Sequence, residues 1–568
     1  MPENGSASQG QAAMKIPNSA KSLLSFARDQ VEICTYSQAQ RAQDAALYLS
    51  YYEKGAPTEK PSLYNRTGVH IDRTASYLYA PGEVRYSIAY DATDGEPWLA
   101  RALVAAKYLS REYRRADADV TFSQGVDTAL IKGCSLLKHN WNDTTSLYPG
   151  FNPELVHPEF FGVEREDLQR LDQQQVMCHT MYLSKDQIKQ IIEGRADEEE
   201  IKKKIQKIGG NSGGQLRQNW LHQVVIGGVQ PVTELTPQGS MGQVSMSPSS
   251  RTDFSPQMMA DLLRMDELWV VDSARDDYTT IQLVEGEFIL EGMYRHQNLT
   301  GVRGLHPFGK ICPDPVSGYF WGRSEVSRVM LLQDMLTAAM EDIQKLMKLR
   351  VKPPKAFIGF SAITNQKRRA MTAPGGYIVE NNPGAKIEDL APTIPPELFG
   401  EVQEISSMFD EVGGFKPILQ GQGESGVRAN AHAKTLMRTA SPKLRERALR
   451  VERDAETSAH ISFQLMQDKS DRIFKNAEGE DFRLKQMPED MYVEVDSHSS
   501  SPAFIDDARE LAVTMKKLGS IDDSDFIRLL HPPTEDALIA AVDKRQKARA
   551  QLIKEHPELL EKGGAKKK

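Results

Sequence analysis

GYFWGRSEVSRVMLLQDMLTAAMEDIQKLMKLRVKPPKAFIGF, residues 318–360, is the stretch on which the fold turns. Ser324 stands where a helix cap is wanted, ahead of a run without glycine or proline. Pro353 and Pro354 end that run, because proline removes an amide donor and clashes with the preceding turn. Between these limits Val329, Leu332, Leu336, Ala339, Ile343 and Leu346 recur at steps of three and four. They share one face, a seam for packing lengthwise against other helices. A helix from 324 to 350 is a rod of about 40 Å, a length suited to a bundle or an oligomeric wall.

Working outward, residues 355–390 hold short strand candidates around a basic turn, Lys367, Arg368 and Arg369. A second helix follows in PPELFGEVQEISSMFDEVGG, residues 395–414, so two helices bracket a small β insertion. Next comes GQGESG, Gly421–Gly426, with the spacing of a dinucleotide-binding loop. That reading needs a hydrophobic strand just before the glycines and an acid about 20 residues on, at a strand end. Instead FKPILQ carries Pro417, and Glu446 falls inside an expected long helix that opens near Ser441 and Pro442.

Upstream, Leu99, Leu103, Ala106 and Leu109 give Pro97–Arg115 a helical stripe, with basic residues at its end. Gly133 breaks a further helix before a strand through Leu136 and Leu137 to Trp141. Ser184 and Gln187 form a capping box, and ADEEEIKKKIQKI reads as a solvated helix with internal ion pairs. Residues 209–257 shift to Gly, Ser, Pro, Gln and Met and read as a flexible insertion. Strand alternation returns in ELWVVDSARDDYTTIQLVEGEFILEGMY, and MYVEV is a last strand candidate before helical segments at 502–519 and 533–555. The fold class is α+β, predominantly helical.

Composition narrows the function. A chain of 568 residues implies two to four domains. A net charge of -8 excludes a uniformly basic, nucleic-acid-coating surface. Cys34, Cys134, Cys178 and Cys312 form no CxxC pair and read as plain thiols. The polar N-terminus lacks a signal peptide's apolar core, and no run of apolar residues is long enough for a membrane span. Asp117, Asp119, Asp276, Asp277, Asp522, Asp523 and Asp525 read as solvated turns or helix starts, and the histidines form no HExxH or HxH. Cys178 and His179 are neighbours on a strand and so point to opposite faces. No catalytic set, cofactor site or metal site is expected.

The residue 318–357 segment has a Gly-x-Ser opening, a mid-helix glutamine, Gln333, and a proline-marked exit. It resembles the stem helix of the portal proteins of tailed bacteriophages and related viruses. LVHPEFFGVERE with VMCHTMYLSKDQI is similar to that family's wing segment, and GVDTALIKGCSLLKHNW to its earlier helix-and-strand unit. The likeness covers roughly residues 40 to 530 and lies in the order of these motifs.

The resemblance implies a non-enzymatic subunit of a ring, usually of twelve, at one capsid vertex of a virion, assembled in the host cytoplasm. Its implied partners are copies of itself, double-stranded DNA in the channel, the large terminase, a head-tail adaptor or tail protein, and the major capsid and scaffolding proteins, with no membrane and no cofactor. By position, residues 1–39 would be an N-terminal arm, partly disordered, and 40–320 the wing. The stem would be 324–350 and 395–413, the clip 351–394 and the tunnel loop 414–431. The long wing helix and strand would be 432–495, the crown 496–550 and the tail 551–568. The glycines of 421–426 would then give a mobile loop its permissive backbone.

DNA-channel candidates on this basis are Lys416, Gln420, Gln422, Arg428 and Asn430 in the loop, and Lys345, Lys348, Arg350 and Lys352 in the stem. The alternative for each is a solvated or intersubunit charge. Lys367, Arg368 and Arg369 would meet an acidic surface on the terminase or adaptor, or form an ordinary charged turn. Val329, Leu332, Leu336, Ile343 and Leu346 would pack against neighbouring subunits or the paired stem helix. Another capsid or tail scaffold is the competing class.

Overall fold

Period-2 alternation and β-branched residues build the largest sheet. The computed structural model describes residues 16–495 apart from 90–96, 143–149, 209–261, 296–305, 367–381, 415–441 and a few shorter stretches, together with parts of 511–546.

Three helices come first: α1 (Ala20–Thr35), α2 (Gln38–Lys54) and α3 (Arg66–Leu78). Asn65 caps α3, its side chain accepting from the Gly68 amide at 3.0 Å. A short strand, β1 (Tyr86–Ala89), precedes α4 (Pro97–Arg115) and α5 (Ala118–Lys132). Gly133 closes α5 at φ 101°, where an added Cβ would lie 2.8 Å from the Trp321 carbonyl. The expected glycine break is therefore required twice over, by backbone angle and by close approach.

The chain then forms β2 (Ser135–Asn142), β3 (Gly150–Val156), β4 (Phe161–Val163) and β5 (Val176–Ser184), with α6 (Lys185–Ile192) and α7 (Glu198–Ile208) following. Next come β6 (Leu262–Asp272), β7 (Asp277–Val284), β8 (Phe288–Arg295) and β9 (Phe308–Ile311). Five strands pair antiparallel in the order β4-β5-β6-β7-β8, and three in the order β3-β2-β9. Glu285 and Gly286, at φ 54° and 68°, make the tight β7–β8 turn with the two positive angles that a primed hairpin turn uses.

The five-stranded sheet is buried on both faces. One face sets Val176, Cys178, Leu268 and Ile281 against Ala27 and Cys34 of α1. The other sets Met177 and Trp269 beside Phe161 and Phe308. Cys178 and His179 do point to opposite faces, for His179 stands edge-on to Phe308. All four cysteines are buried free thiols. The charged helix α7 has the expected internal pairs, Lys202–Glu198 and Lys204–Glu200, yet Ile201 and Ile205 bury an apolar edge against the sheet.

Beyond β9 run α8 (Val326–Val351), β10 (Lys355–Ile358), β11 (Lys386–Asp389), α9 (Glu397–Gly413) and α10 (Pro442–Lys469). The stripe Ala448, Val451, Ala455, Ala459 and Phe463 carries α10 through the main helical core, against residues of α3, α4 and α5. Two short strands, β12 (Ile473–Lys475) and β13 (Asp481–Arg483), pair together. The expected strand MYVEV is β14 (Tyr492–Val495), and its partner is β1, which ties the late chain to its early part.

Two expectations need correction. Leu103 of the α4 stripe is 51% exposed, the buried face being Ala102, Ala105 and Leu109. Asp119 is not a solvated helix-start acid: it receives the hydroxyls of Tyr79 and Tyr86 at 3.5 and 3.3 Å, and burial pushes its carboxyl upward despite those bonds.

Candidate functional site: the helical hairpin and its anchor

The run from 326 to 351 lacks glycine and proline, and it forms a helix of 26 residues, about 39 Å long. The Ser324 hydroxyl accepts from the Ser327 amide at 3.3 Å, as a cap should. Helix α9 returns antiparallel beside α8, and the β10–β11 pair joins the two at the tip, in register Lys355↔Asp389 to Ile358↔Lys386.

Val329 and Leu336 of α8 are buried against Ile405 and Phe409 of α9, with Leu332, Met340, Val402 and Val412 half-buried around them. The seam thus belongs to the paired helix, and Val329, Leu332 and Leu336 are not a bare face awaiting a neighbouring copy. Ile343 is buried and Leu346 half-buried further along. The apolar residues that are bare lie elsewhere: Leu331 is 68% exposed, and Met335, Leu349 and Val351 are also exposed.

The hairpin is bolted to the body by polar groups. Gln333, fully buried, faces the start of α3. Its Oε1 accepts from the backbone amides of Arg66 and Thr67 at 3.0 and 3.1 Å, and its Nε2 donates to the Tyr64 carbonyl at 2.9 Å. A helix start leaves amides without intrahelical partners, so Gln333 caps α3 from another helix. Asp334 accepts from the Tyr51 hydroxyl at 2.9 Å. On α9, Asp410 holds Arg66 and Arg73 of α3, each at 3.2 Å.

At the base of α8 sits an ionic node. Glu325 is 1% exposed and binds the Arg447 guanidinium of α10 at 2.6 Å and His70 Nε2 of α3 at 3.2 Å. Arg328 joins through Asp314. Burial alone would push the Glu325 carboxyl up, but the hydrogen bonds from His70 and Arg447 outweigh it and hold the carboxyl at about 2. Lys443, at the start of α10, donates to the Val412 carbonyl near the end of α9 at 2.6 Å. The end of α9 and the start of α10 are therefore tied to each other.

Of the residues expected to face DNA, Lys345 is exposed and pairs with Asp342 at 2.9 Å, while Lys348 and Arg350 are exposed on the distal half of α8. Lys352, Lys416, Gln420, Gln422, Arg428, Asn430, the glycines of 421–426, and Lys367, Arg368 and Arg369 lie outside the described residues. Sequence reasoning missed the anchor of Glu325, His70 and Arg447. Its only local signal is an acid beside a helix cap, because the partners stand 255 and 122 residues away.

Among the described residues no group of three or more His, Cys, Asp or Glu is arranged to hold a metal ion, and no helix is long and apolar enough to cross a membrane. An open cleft of about 640 Å³ lies between α1 and the five-stranded sheet, far from the hairpin in sequence and lined by Arg28, Glu32, Arg264 and Asp266 among others.

No family model matches the chain, and no curated protein matches it. Among solved structures it is similar to parts of gene transfer agent (GTA) particles. These are the virion of the native particle, 12% identical with a TM-score of 0.36 over 82% of this chain and 89% of that one, and the neck of the empty particle with C6 symmetry, 10% identical with a TM-score of 0.37 over 82% and 88%. The neck of the native particle with C12 symmetry gives 12% and 0.36 over 82% and 89%. Scores at that level do not establish a shared fold.

Proposed function

We propose that the chain is a portal-type ring subunit that forms a DNA channel at one capsid vertex and has no enzymatic activity of its own. The observation that carries this reading is the order helix, two-stranded tip, helix: α8 and α9 form an antiparallel hairpin, anchored to the body at one end and bearing β10–β11 at the other. A hairpin with one apolar side satisfied within the chain and further apolar residues left bare is suited to stand in a wall of like hairpins. The stem, clip, tunnel-loop and crown assignments follow the boundaries given above, with the body as the wing.

In this mechanism the work is geometric. Duplex DNA passes through the ring during packaging and ejection, and a separate large terminase supplies the energy. An acidic protein can serve as such a conduit, since a few phosphate contacts guide a duplex where many would hold it. The loop residues Lys416, Gln420, Gln422, Arg428 and Asn430 are proposed as those contacts, and Lys367, Arg368 and Arg369 as a docking point for terminase or adaptor.

Negative-stain electron microscopy with native mass measurement on the purified full-length chain tests the reading. Rings with a central pore, at an integer multiple of 63.5 kDa, are expected. A compact species that binds a dinucleotide would overturn it and return Gly421–Gly426 to the centre.

A further inference from the structure

The two flanks of the hairpin differ in charge. On α8 the side facing α9 is fixed by Val329 and Leu336, and Gln333 marks the flank where α3 sits. Counting about 100° per residue puts Leu331 and Met335 on the opposite flank. The same count puts Lys345 on the back of α8 and Lys348 toward the α3 flank, near the tip, with Glu341 beside Lys348, while Arg350 falls toward the other flank. On α9, Asp410 marks the α3 flank through Arg66 and Arg73. The same count puts Glu397, Glu401 and Glu404 on the other flank, the one that carries Leu331 and Met335 nearer the base.

Among the described residues Lys348, Glu397, Glu401 and Glu404 make no ion pair, and Lys345 pairs only with Asp342 and Glu341 of its own helix. Helix α9 carries five acids and no base, which sharpens the contrast. Both flanks are also partly apolar, with Leu331 and Met335 exposed on the acidic one and Phe399 exposed on the basic one.

We infer that the acidic flank of one hairpin docks on the basic flank of the next, the occupant of each being a second copy of this chain. The inference rests on the ring reading and deepens it: Lys345 and Lys348 become subunit contacts and not contacts to DNA. Because the two complementary surfaces lie on opposite flanks, the contact is heterologous and propagates head to tail, closing into a ring when the rotation allows. A two-fold dimer would bury only one flank of each copy. The charges set the register, and the exposed apolar side chains supply the area.

The test uses the full-length chain, with assembly followed against concentration by sedimentation and native mass, in wild type, E401K/E404K, K345E/K348E and the variant combining all four. Wild type is expected to assemble, and each double reversal should raise the half-assembly concentration at least about tenfold. The combined variant, in which the charges have exchanged flanks, should return to within about threefold of wild type. Unchanged circular dichroism in each variant shows that the fold is kept.

If wild type assembles and the reversals change nothing, the docking inference fails and the ring reading stands. If K345E/K348E leaves assembly alone but weakens binding of duplex DNA to the assembled protein, the lysines face DNA and the inference fails. A wild type that stays monomeric at every concentration overturns both.

Discussion

The sheet-bearing body and the helical hairpin are built to different depths. Around Trp269 the body stacks aromatic rings edge to face, with Phe308 at 5.8 Å and Phe161 against Phe308 at 4.9 Å. The charges sealed inside it are paired: Lys138 of β2 bonds Glu267 of β6, and His179 lies within 3.8 Å of the same carboxylate. The hairpin has a core of four buried residues and exposes Leu331, Met335 and Phe399. The body can hold its shape as one chain. The hairpin depends on the polar bolts to α3 and, in our account, on the hairpins beside it.

That contrast can be broken in several ways, and acid should act most strongly because several buried groups add. Burial depresses His139 to about 3 and His157 and His306 to about 4. Each binds its proton more readily when unfolded, so its stability contribution is full above its ordinary value near 6.5 and falls as pH drops toward 4 and 3. Glu267 and Glu325 are held at about 2, burial being outweighed by Lys138 and His179 for the first and by His70 and Arg447 for the second. Their contribution is lost between the ordinary glutamate value of about 4.3 and about 2. The urea midpoint should therefore decline below pH 6.5 and steepen below about 4.3. All five groups lie in the body or at the hairpin's base, so amide exchange within 397–413, corrected for intrinsic rate, should stay nearly flat with pH.

Single substitutions sharpen the difference. Glu267→Ala leaves the buried Lys138 cation unpaired and should lower global stability by about 3 to 5 kcal/mol in urea unfolding. Phe409→Ala opens the thin hairpin core and should cost about 3 kcal/mol locally. It should be read as faster amide exchange along α9 with little change in the global midpoint; a drop in the midpoint equal to that of Glu267→Ala would erase the distinction. Gln333→Leu strands the amides of Arg66 and Thr67 and should cost about 1 to 3 kcal/mol, with loss of exchange protection at those two positions first. Lys204→Ala, which breaks an exposed pair on α7 and a long contact of the ammonium with the Phe288 ring at 5.8 Å, should cost less than about 1 kcal/mol.

Local pattern carried much of the fold. The limits of α4 and α8, the Gly133 break, the antiparallel run β6–β8 and the second hairpin helix could all be read from capping residues, glycine, proline and periodicity. The partners could not. The apolar stripe of α8 is equally suited to a helix of the same chain or of another copy, and only the fold shows that α9 takes it. Gln333 stood out as a mid-helix glutamine, but its capping of α3 depends on Arg66, 267 residues away. Asp119 resembles any helix-start acid until Tyr79 and Tyr86 are folded over it. The residues proposed to touch DNA or terminase are weakly specified for the same reason, since their partners lie outside the chain.

The most direct measurement is cryo-electron microscopy of the assembly formed by the full-length chain, at a resolution that separates helices. The account predicts α8–α9 hairpins side by side around a central pore, with Leu331 and Met335 of one copy covered by the next. Hairpins splayed outward from the pore with those residues bare, or a particle without a pore, would contradict it.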